Sequence, residues 1–171
     1  MRKKSREMYE QWALEVMRRA PYITVSFIDA VGKAYGLPLS LASDDDVHWY
    51  FHCALEGKKL DAIKAHSQVC LSAVSRCTPT VGPLDGDFTI QYKSAIAFGT
   101  AELVEDDEEK IHGLRLISER FLPHHMDAFE GSVARSLGRT AVVRITLTEP
   151  AVGKRKQYDK NGEEMKYGRM E

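Results

Sequence analysis

The chain has 171 residues, a length that fits one domain with a buried core. Apolar residues make up 43% and charged residues 29% of the sequence, which is a globular balance and excludes a largely disordered chain. The formal net charge of −1 disfavours a nucleic-acid partner. No apolar run approaches the roughly 18 residues that cross a bilayer, so a membrane partner is not expected either. We treat residues 1–171 as a single domain, with an N-terminal helix in residues 1–20 and a charged C-terminal tail in residues 153–171.

The cysteines and the N-terminus favour a cytoplasmic protein. Cys53, Cys70 and Cys77 form no CxxC pair, and this usage is typical of reduced thiols. The basic start of the chain is followed by acidic residues instead of the apolar block of a secretion signal. The adjacent His124 and His125 cannot face the same side of a helix, so we predict no metal site.

The first half of the chain predicts a helix followed by strands. Met8, Trp12 and Val16 recur every four residues, which predicts a helix over residues 5–19 that ends at Pro21. The strands that follow are marked by β-branched and aromatic residues and by period-two alternation. Three strands are predicted in this half: residues 22–28, 34–43 and 47–53.

The second half predicts two clear helices, a further short helix and three more strands. A short helix is expected over residues 58–66, while the composition of residues 77–87 indicates a loop. Gly99 marks a bulge or a close approach within a long strand. Asp106 and Glu109 have the spacing of a capping box before a second long helix. The three strands predicted here are residues 69–76, 88–104 and 141–148, and residues 123–138 are expected to hold a short helix.

Six strands with short turns do not alternate with helices in the order of βαβ units. We therefore predict a mainly β fold, a six-stranded antiparallel barrel with peripheral helices.

The segment from Tyr50 to Lys64 is the part of the sequence that carries chemistry. A strand ends at His52 and Cys53, a turn runs through Gly57, and a helix begins at Lys58. Cations in the first turn of a helix oppose its dipole, which favours negative charge there. Together with the free N–H groups of a helix start, two lysines predict a site for a phosphate group. The alternative is a pair of solvated lysines on a surface helix.

Three blocks of the sequence resemble the pyridoxamine-phosphate-oxidase-like FMN-binding split barrels, in particular the branch related to 5-nitroimidazole-resistance proteins. Residues 50–71 (YFHCALEGKKLDAIKAHSQVCL) are similar to the signature of that branch. Residues 92–99 (YKSAIAFG), with the acidic helix start that follows, and residues 35–40 (YGLPLS) are similar to two further blocks. The blocks occur in the family's order and cover roughly residues 20–155.

The resemblance implies a split barrel that forms a homodimer, with one FMN near each end of the interface. Gly57, Lys58 and Lys59 would hold the phosphate, and Tyr92 and Ser94 would approach the isoalloxazine from the barrel wall of either subunit. The other residues that the resemblance assigns to the cofactor site are Pro38, Leu39 and Ser40 beside the ribityl chain and ring, and Phe51, His52, Cys53 and Ala54 at the strand end. Cys53 departs from the glycine, serine or threonine usual at its position, and Lys154 matches a recurrent Gly-Lys pair whose role here stays open.

The function expected from this resemblance is an FMN-dependent oxidoreductase. A reduced pyridine nucleotide or another donor would reduce the flavin, which would pass electrons to a small nitroaromatic or quinone-like acceptor. No glycine fingerprint for a resident dinucleotide is present, so NAD(P)H would be a transient guest. His52 is the candidate catalytic residue, because a histidine near neutral pKa can orient a substrate or donate a proton.

Two alternatives stay open. The first is a non-catalytic flavin or haem carrier or sensor, in which His52 would be a haem ligand or a mere neighbour. The second is oxidation of pyridoxamine phosphate itself, which is disfavoured because the chain lacks the C-terminal tryptophan and arginine-rich motif of true oxidases.

Overall fold

The computed structural model describes residues 2–82, 84 and 86–167, and these form a mainly antiparallel sheet with helices around it. The strands are β1 (Glu7–Met8), β2 (Ile23–Ile28), β3 (Ala34–Leu39), β4 (His48–Cys53), β5 (Gln68–Val81), β6 (Phe88–Leu103), β7 (Ala141–Leu147) and β8 (Val152–Lys156). The α-helices are α1 (Glu10–Arg19), α2 (Lys58–Ala65), α3 (Asp107–Phe121) and α4 (Phe129–Ser136). Short 3₁₀ turns occupy Lys4–Arg6, Pro123–Ala128 and Leu137–Arg139.

Strand β6 organises the sheet. On one side, β6 pairs with β5 along nearly all of its length. On the other side, β6 pairs with β8 near the start of β6 and with β7 near the end of β6. Beyond β5 lie β2 and then β3, and beyond β7 lies β4. All of these pairs are antiparallel, which confirms the mainly β prediction with peripheral helices.

The predicted count of six strands is too low, because β1 and β8 are added at one edge of the sheet. The charged sequence of β8 has no apolar alternation, so the pattern predicted only a tail from Gly153 onward. The segment forms a strand because it pairs with the otherwise open side of β6. Residues 168–171 of the predicted tail lie outside the described residues.

Two predicted element boundaries differ from those in the structure. The helix predicted over residues 5–19 begins at Glu10, because Glu7 and Met8 pair with β8 instead of joining the helix. The strand predicted over residues 34–43 ends at Leu39, where its pairing with β2 ends.

The loop predicted over residues 77–87 is shorter than expected, because residues 77–81 belong to β5. Residues 77–81 pair with β6 as far as Val81 opposite Phe88, which leaves a loop of residues 82–87, of which 83 and 85 lie outside the described residues. Threonine and proline made this segment look like a loop. Pro79 is tolerated here because this part of β5 has β6 on one side only, so its missing N–H is lost from an open edge.

The core lies between the inner side of the sheet and α1. Alternate residues of β2, namely Ile23, Val25 and Phe27, are buried, and the wholly buried Trp49 and Phe51 of β4 join them. Burial of side chains of this size stabilises the fold by about 1.5–3 kcal/mol each. Among the described residues, no helix is both long and apolar enough to cross a membrane.

The close approach predicted at Gly99 is confirmed, and the capping box predicted at Asp106 and Glu109 is confirmed only in its Asp106 half. A side chain on Gly99 would place its Cβ 2.6 Å from the Thr146 carbonyl oxygen, so this glycine is a point of close approach between β6 and β7. Asp106 caps α3 by accepting a hydrogen bond of 2.8 Å from the Glu109 N–H. The Glu109 carboxylate does not complete a capping box. It accepts hydrogen bonds from the Tyr50 hydroxyl (3.1 Å) and from Arg144 (2.6 Å), and burial together with Glu109 raises the pKa of Tyr50 to about 12.

Candidate functional site

The turn between β4 and α2 is built around Gly57. This residue has φ +130° and ψ 164°, a conformation that side chains of other residues rarely allow. Its carbonyl oxygen accepts hydrogen bonds from the N–H groups of Leu60 (2.9 Å) and Asp61 (3.2 Å), so α2 begins directly at Lys58. The N–H groups of Lys58 and Lys59 have no acceptor within the helix, since the first turn of any helix leaves its donors free. The start of α2 therefore offers backbone donors and two ammonium groups together.

The two ammonium groups are held over aromatic rings on either side of the helix start. The Lys58 nitrogen lies 4.8 Å from the centre of the Tyr35 ring, and the Lys59 nitrogen lies 5.5 Å from the centre of the Phe51 ring. Lys58 also lies 3.5 Å from Asp29 Oδ2, in the turn that joins β2 to β3. Ring contacts and one carboxylate keep these flexible side chains near the helix start.

His52 and Cys53 lie at the end of β4 beside this helix start. His52 is exposed and points to the face of β4 opposite that of its buried neighbour Phe51. Partial desolvation by surrounding atoms, and secondly the charge of Lys59, lower the pKa of His52. Its ring is therefore neutral at pH 7. Desolvation raises the pKa of Cys53, so this thiol stays protonated and behaves as a small apolar side chain.

The residues predicted for the site fall into two groups within one chain. Phe51 to Ala54 and Gly57 to Lys59 lie together around the turn before α2. Pro38, Leu39 and Ser40 lie at the far end of β3, where Pro38 and Ser40 are exposed and Leu39 packs against the core. Tyr92 and Ser94 lie at this far end of the sheet as well. The strand register sets this separation, because Ser94 pairs with Val74, beyond the point at which β5 leaves β2.

Lys154 lies beside the second group. It pairs with Ser94 across the sheet, and its ammonium nitrogen lies 5.7 Å from the centre of the Tyr92 ring.

Sequence reasoning missed Asp29 and Tyr35 as neighbours of Lys58. The sequence did indicate that Asp29 and Tyr35 lie near each other, since a hairpin of residues 22–28 and 34–39 places its turn next to the start of its second strand. What could not be foreseen is that α2 packs against β2 at that same end of the sheet.

A second feature missed from the sequence is an apolar outer face of the sheet, on the side opposite α1. Its members are large apolar side chains that stay 37–47% exposed. They are Ile28 on β2, Val74 on β5, Ile96 and Phe98 on β6, and Val152 on β8. Tyr92 and Ser94 continue this face along β6, because residues two apart on a strand point to the same side. An apolar face of this extent is typical of an interaction surface.

Comparison with known proteins gives a family and a fold. The model of the pyridoxamine 5'-phosphate oxidase family matches residues 10–154. No protein with a curated description matches the sequence significantly.

Three similar solved structures can be described. A candidate 5-nitroimidazole antibiotic resistance protein from Bacteroides thetaiotaomicron is 19% identical, with a TM-score of 0.70, and 86% of each chain is covered. The flavocytochrome Anf3 from Azotobacter vinelandii is 18% identical, with a TM-score of 0.74, over 96% of this chain and 80% of that one. The FAD and haem binding protein from Mycobacterium smegmatis is 17% identical, with a TM-score of 0.75, over 95% and 83%. At these identities the likeness shows the fold.

Proposed function

Because the chain belongs to the pyridoxamine 5'-phosphate oxidase family, whose model matches residues 10–154, we propose that it binds FMN and acts as an oxidoreductase on a small acceptor. The proposed acceptor is nitroaromatic or quinone-like, and the electron donor is NAD(P)H or another small reductant. The observation that carries this proposal is the pair Lys58 and Lys59 at the start of α2, beside the strand end that bears His52.

The start of α2 fits a phosphate group on physical grounds. Two free backbone N–H groups and the positive end of the helix dipole favour an anion. Two lysines at this position raise the local positive charge further, and only Lys58 has a carboxylate, Asp29, within 4 Å among the described residues. The approach to the helix start is open at Gly57, since no heavy atom lies within 4 Å of the place a Cβ would take.

The protein would hold and screen the cofactor, while the bound flavin would supply the electron transfer. In this proposal Gly57, Lys58 and Lys59 bind the phosphate, and Phe51 to Ala54 line the adjoining strand end. His52 carries a neutral ring at pH 7, because its pKa is lowered. Its ring can therefore accept a hydrogen bond from a substrate and orient it.

The proposed site is completed by a second copy of the chain. Within one chain, Tyr92 and Ser94 lie at the end of the sheet away from Lys58. The apolar outer face runs between the two groups, and a homodimer that buries it would create two identical sites by symmetry. Replacing Phe98 by Asp, in the centre of this face, is expected to give a monomer by light scattering. Val31→Asp, at an exposed turn residue, is the control and should leave the oligomeric state unchanged.

The test of the phosphate assignment is retention of FMN by the double variant Lys58→Ala/Lys59→Ala. Loss of two charge-assisted contacts predicts an FMN affinity lower by about 100-fold or more. Lys64→Ala, in the last turn of the same helix, should bind FMN as the wild type does. Unchanged FMN affinity in the folded double variant would exclude this phosphate site.

A second candidate function is a non-catalytic flavin or haem binder. The observation that favours it is the exposed ring of His52, since neutral imidazole is the form that coordinates iron. A visible spectrum of purified protein separates the two functions. Flavin bands with turnover of an acceptor support the oxidoreductase, whereas a Soret band lost in His52→Ala supports haem binding.

We also propose that the protein is cytoplasmic. The three cysteines are unpaired, Cys77 is exposed, and a reducing cytoplasm would keep them so.

A further inference from the structure

A row of three cations crosses the sheet next to the end of α1. Arg76 on β5 pairs directly with Lys93 on β6, and Lys93 pairs directly with Arg155 on β8. Directly opposed residues have Cβ atoms about 4.5–5.5 Å apart, and like charges so placed destabilise a sheet. Repulsion between the three cations destabilises the protein alone, and a bound anion would relieve this repulsion.

The carboxylates of the described residues do not neutralise the row. Arg76 makes a single long hydrogen bond of 3.4 Å to the Thr78 hydroxyl. Arg155 donates to the Gln157 side-chain oxygen and lies 4.2 Å from the centre of the Tyr167 ring. Lys93 is half-buried, and among the described residues it has no hydrogen-bond or ion-pair partner. A partly desolvated ammonium group without a partner is unfavourable unless a ligand supplies one.

Two members of the row, Arg76 and Lys93, line a cleft with a volume of about 370 Å³ between α1 and the sheet. Its lining is Trp12, Glu15, Val16 and Arg19 from α1, with Ser75, Arg76 and Lys93 from the sheet. Glu15, the one carboxylate in this lining, is within 4 Å of Arg18 and Arg19. Three cations and one carboxylate leave the lining with a positive charge.

A β-bulge aims the sheet residues into this cleft. The pairing of β5 with β6 shifts between Val74 and Arg76, so Ser75 is an extra residue at this point. Bulges re-aim side chains and are common beside functional sites. Trp12 forms the opposite wall, and its indole is fixed because it packs directly on Gly153, where an added Cβ would lie 2.5 Å from the ring.

From these observations we infer that the cleft between α1 and the β5 bulge is a second anion site, which binds the phosphoryl group of a small molecule through Arg76, Lys93 and Ser75. Its volume is at the small end of ligand pockets, and α1 closes one side, so a phosphate ester fits and a long polyanion does not. The site is distinct from the start of α2. Five residues along β2 and three along β5 separate the two within one chain, which is roughly 25 Å.

The experiment uses inorganic pyrophosphate as the probe and the two tryptophans as reporters. Trp12 lines the cleft, whereas Trp49 is fully buried in the core and serves as an internal reference. In the full-length wild type, pyrophosphate at constant ionic strength should shift the Trp12 indole N–H resonance, leave that of Trp49 in place, and raise the melting temperature. Arg76→Gln/Lys93→Gln should weaken this binding by about tenfold or more, while Lys64→Gln should bind as the wild type does.

AMP and adenosine distinguish the source of the phosphoryl group. A shift of the Trp12 resonance by AMP at lower concentration than by pyrophosphate assigns the site to nucleotides, and the reverse order assigns it to inorganic phosphates. A shift by adenosine equal to that by AMP would overturn the inference, because the phosphoryl group would then contribute nothing.

Binding at the cleft can be tested independently of binding at the proposed FMN site. The Arg76/Lys93 double variant should retain FMN, and Lys58→Gln/Lys59→Gln should retain the response of Trp12 to pyrophosphate. The inference is overturned if the wild-type resonance does not move, or if it moves equally in the Arg76/Lys93 variant.

Discussion

Positive side chains cluster at the start of α2 and in a row across β5, β6 and β8. The two clusters differ in the contacts that their charged groups make. At the start of α2, Lys58 and Lys59 rest on aromatic rings, and Asp29 lies beside one of them. Across β5, β6 and β8, three cations oppose one another directly without a carboxylate partner among the described residues.

Two kinds of anion site are therefore built from different parts of this fold. The helix start supplies N–H donors and a dipole as a consequence of its backbone, so its lysines add to a field that already exists. The row on the sheet has no such backbone field, and it depends on the side chains and on the bulge at Ser75. The first site should therefore depend on backbone conformation in addition to charge, whereas the second should depend mainly on charge.

Replacing Gly57 by Ala tests the dependence on backbone and should have the largest effect. A φ of +130° is strained for any residue with a Cβ, which predicts a loss of about 1–3 kcal/mol in the free energy of unfolding. Because the start of α2 would move, FMN affinity should fall as well. Gly138→Ala, at a position with open space and no positive φ, is the matched control and should be close to neutral in thermal unfolding. A Gly57 variant as stable as this control would contradict the prediction.

Replacing Lys93 by Gln tests the dependence on charge. Removal of the middle cation relieves repulsion with both Arg76 and Arg155, so the free energy of unfolding should rise by about 0.2–1 kcal/mol at low salt. The gain should shrink as salt is added, since screening already weakens the repulsion in the wild type. Urea unfolding at two ionic strengths measures both effects, and a destabilised variant would show that Lys93 has a favourable partner.

Replacing Asp29 by Asn tests whether the carboxylate beside Lys58 weakens the binding of an anion at the start of α2. Asp29 accepts hydrogen bonds from the N–H groups of Lys33 (2.8 Å) and Val31 (3.2 Å), and an asparagine oxygen can accept the same bonds. The variant therefore keeps the turn but removes a negative charge near Lys58. We expect FMN to bind about two- to threefold more tightly, measured by flavin fluorescence. Weaker binding would mean that Asp29 positions Lys58 for the phosphate.

The smallest expected effect is on the titration of His52. Desolvation and then Lys59 lower its pKa, so Lys59→Gln removes a charge that disfavours the protonated ring. The pKa of His52 should rise in this variant, yet stay below its ordinary value near 6.5 because desolvation remains. Proton NMR of the imidazole measures this shift. A pKa that does not change would show that Lys59 does not act on His52.

Much of this architecture follows from local patterns. The β-branched and aromatic residues of 22–28 and the alternation in 47–53 predict strands that the structure contains. The glycine and two lysines before Leu60 predict the helix start at Lys58. Residues 77–81 and β8 were missed for one reason. Their composition is that of a loop and of a charged tail, and only pairing with the long β6 makes them strands.

The mainly β class, the family resemblance and the cationic start of α2 could be predicted from the sequence, because they depend on periodicity and on residues adjacent in the chain. The contacts between residues distant in the chain became visible only in the folded structure. Packing of α2 against β2 brought Asp29 and Tyr35 to Lys58. Strand register divided the predicted cofactor residues between two ends of the sheet and aligned Arg76, Lys93 and Arg155 in one row. The physical reason is that strand pairing is non-local. A shift of one residue would turn every side chain to the other face, and no local pattern contains that information.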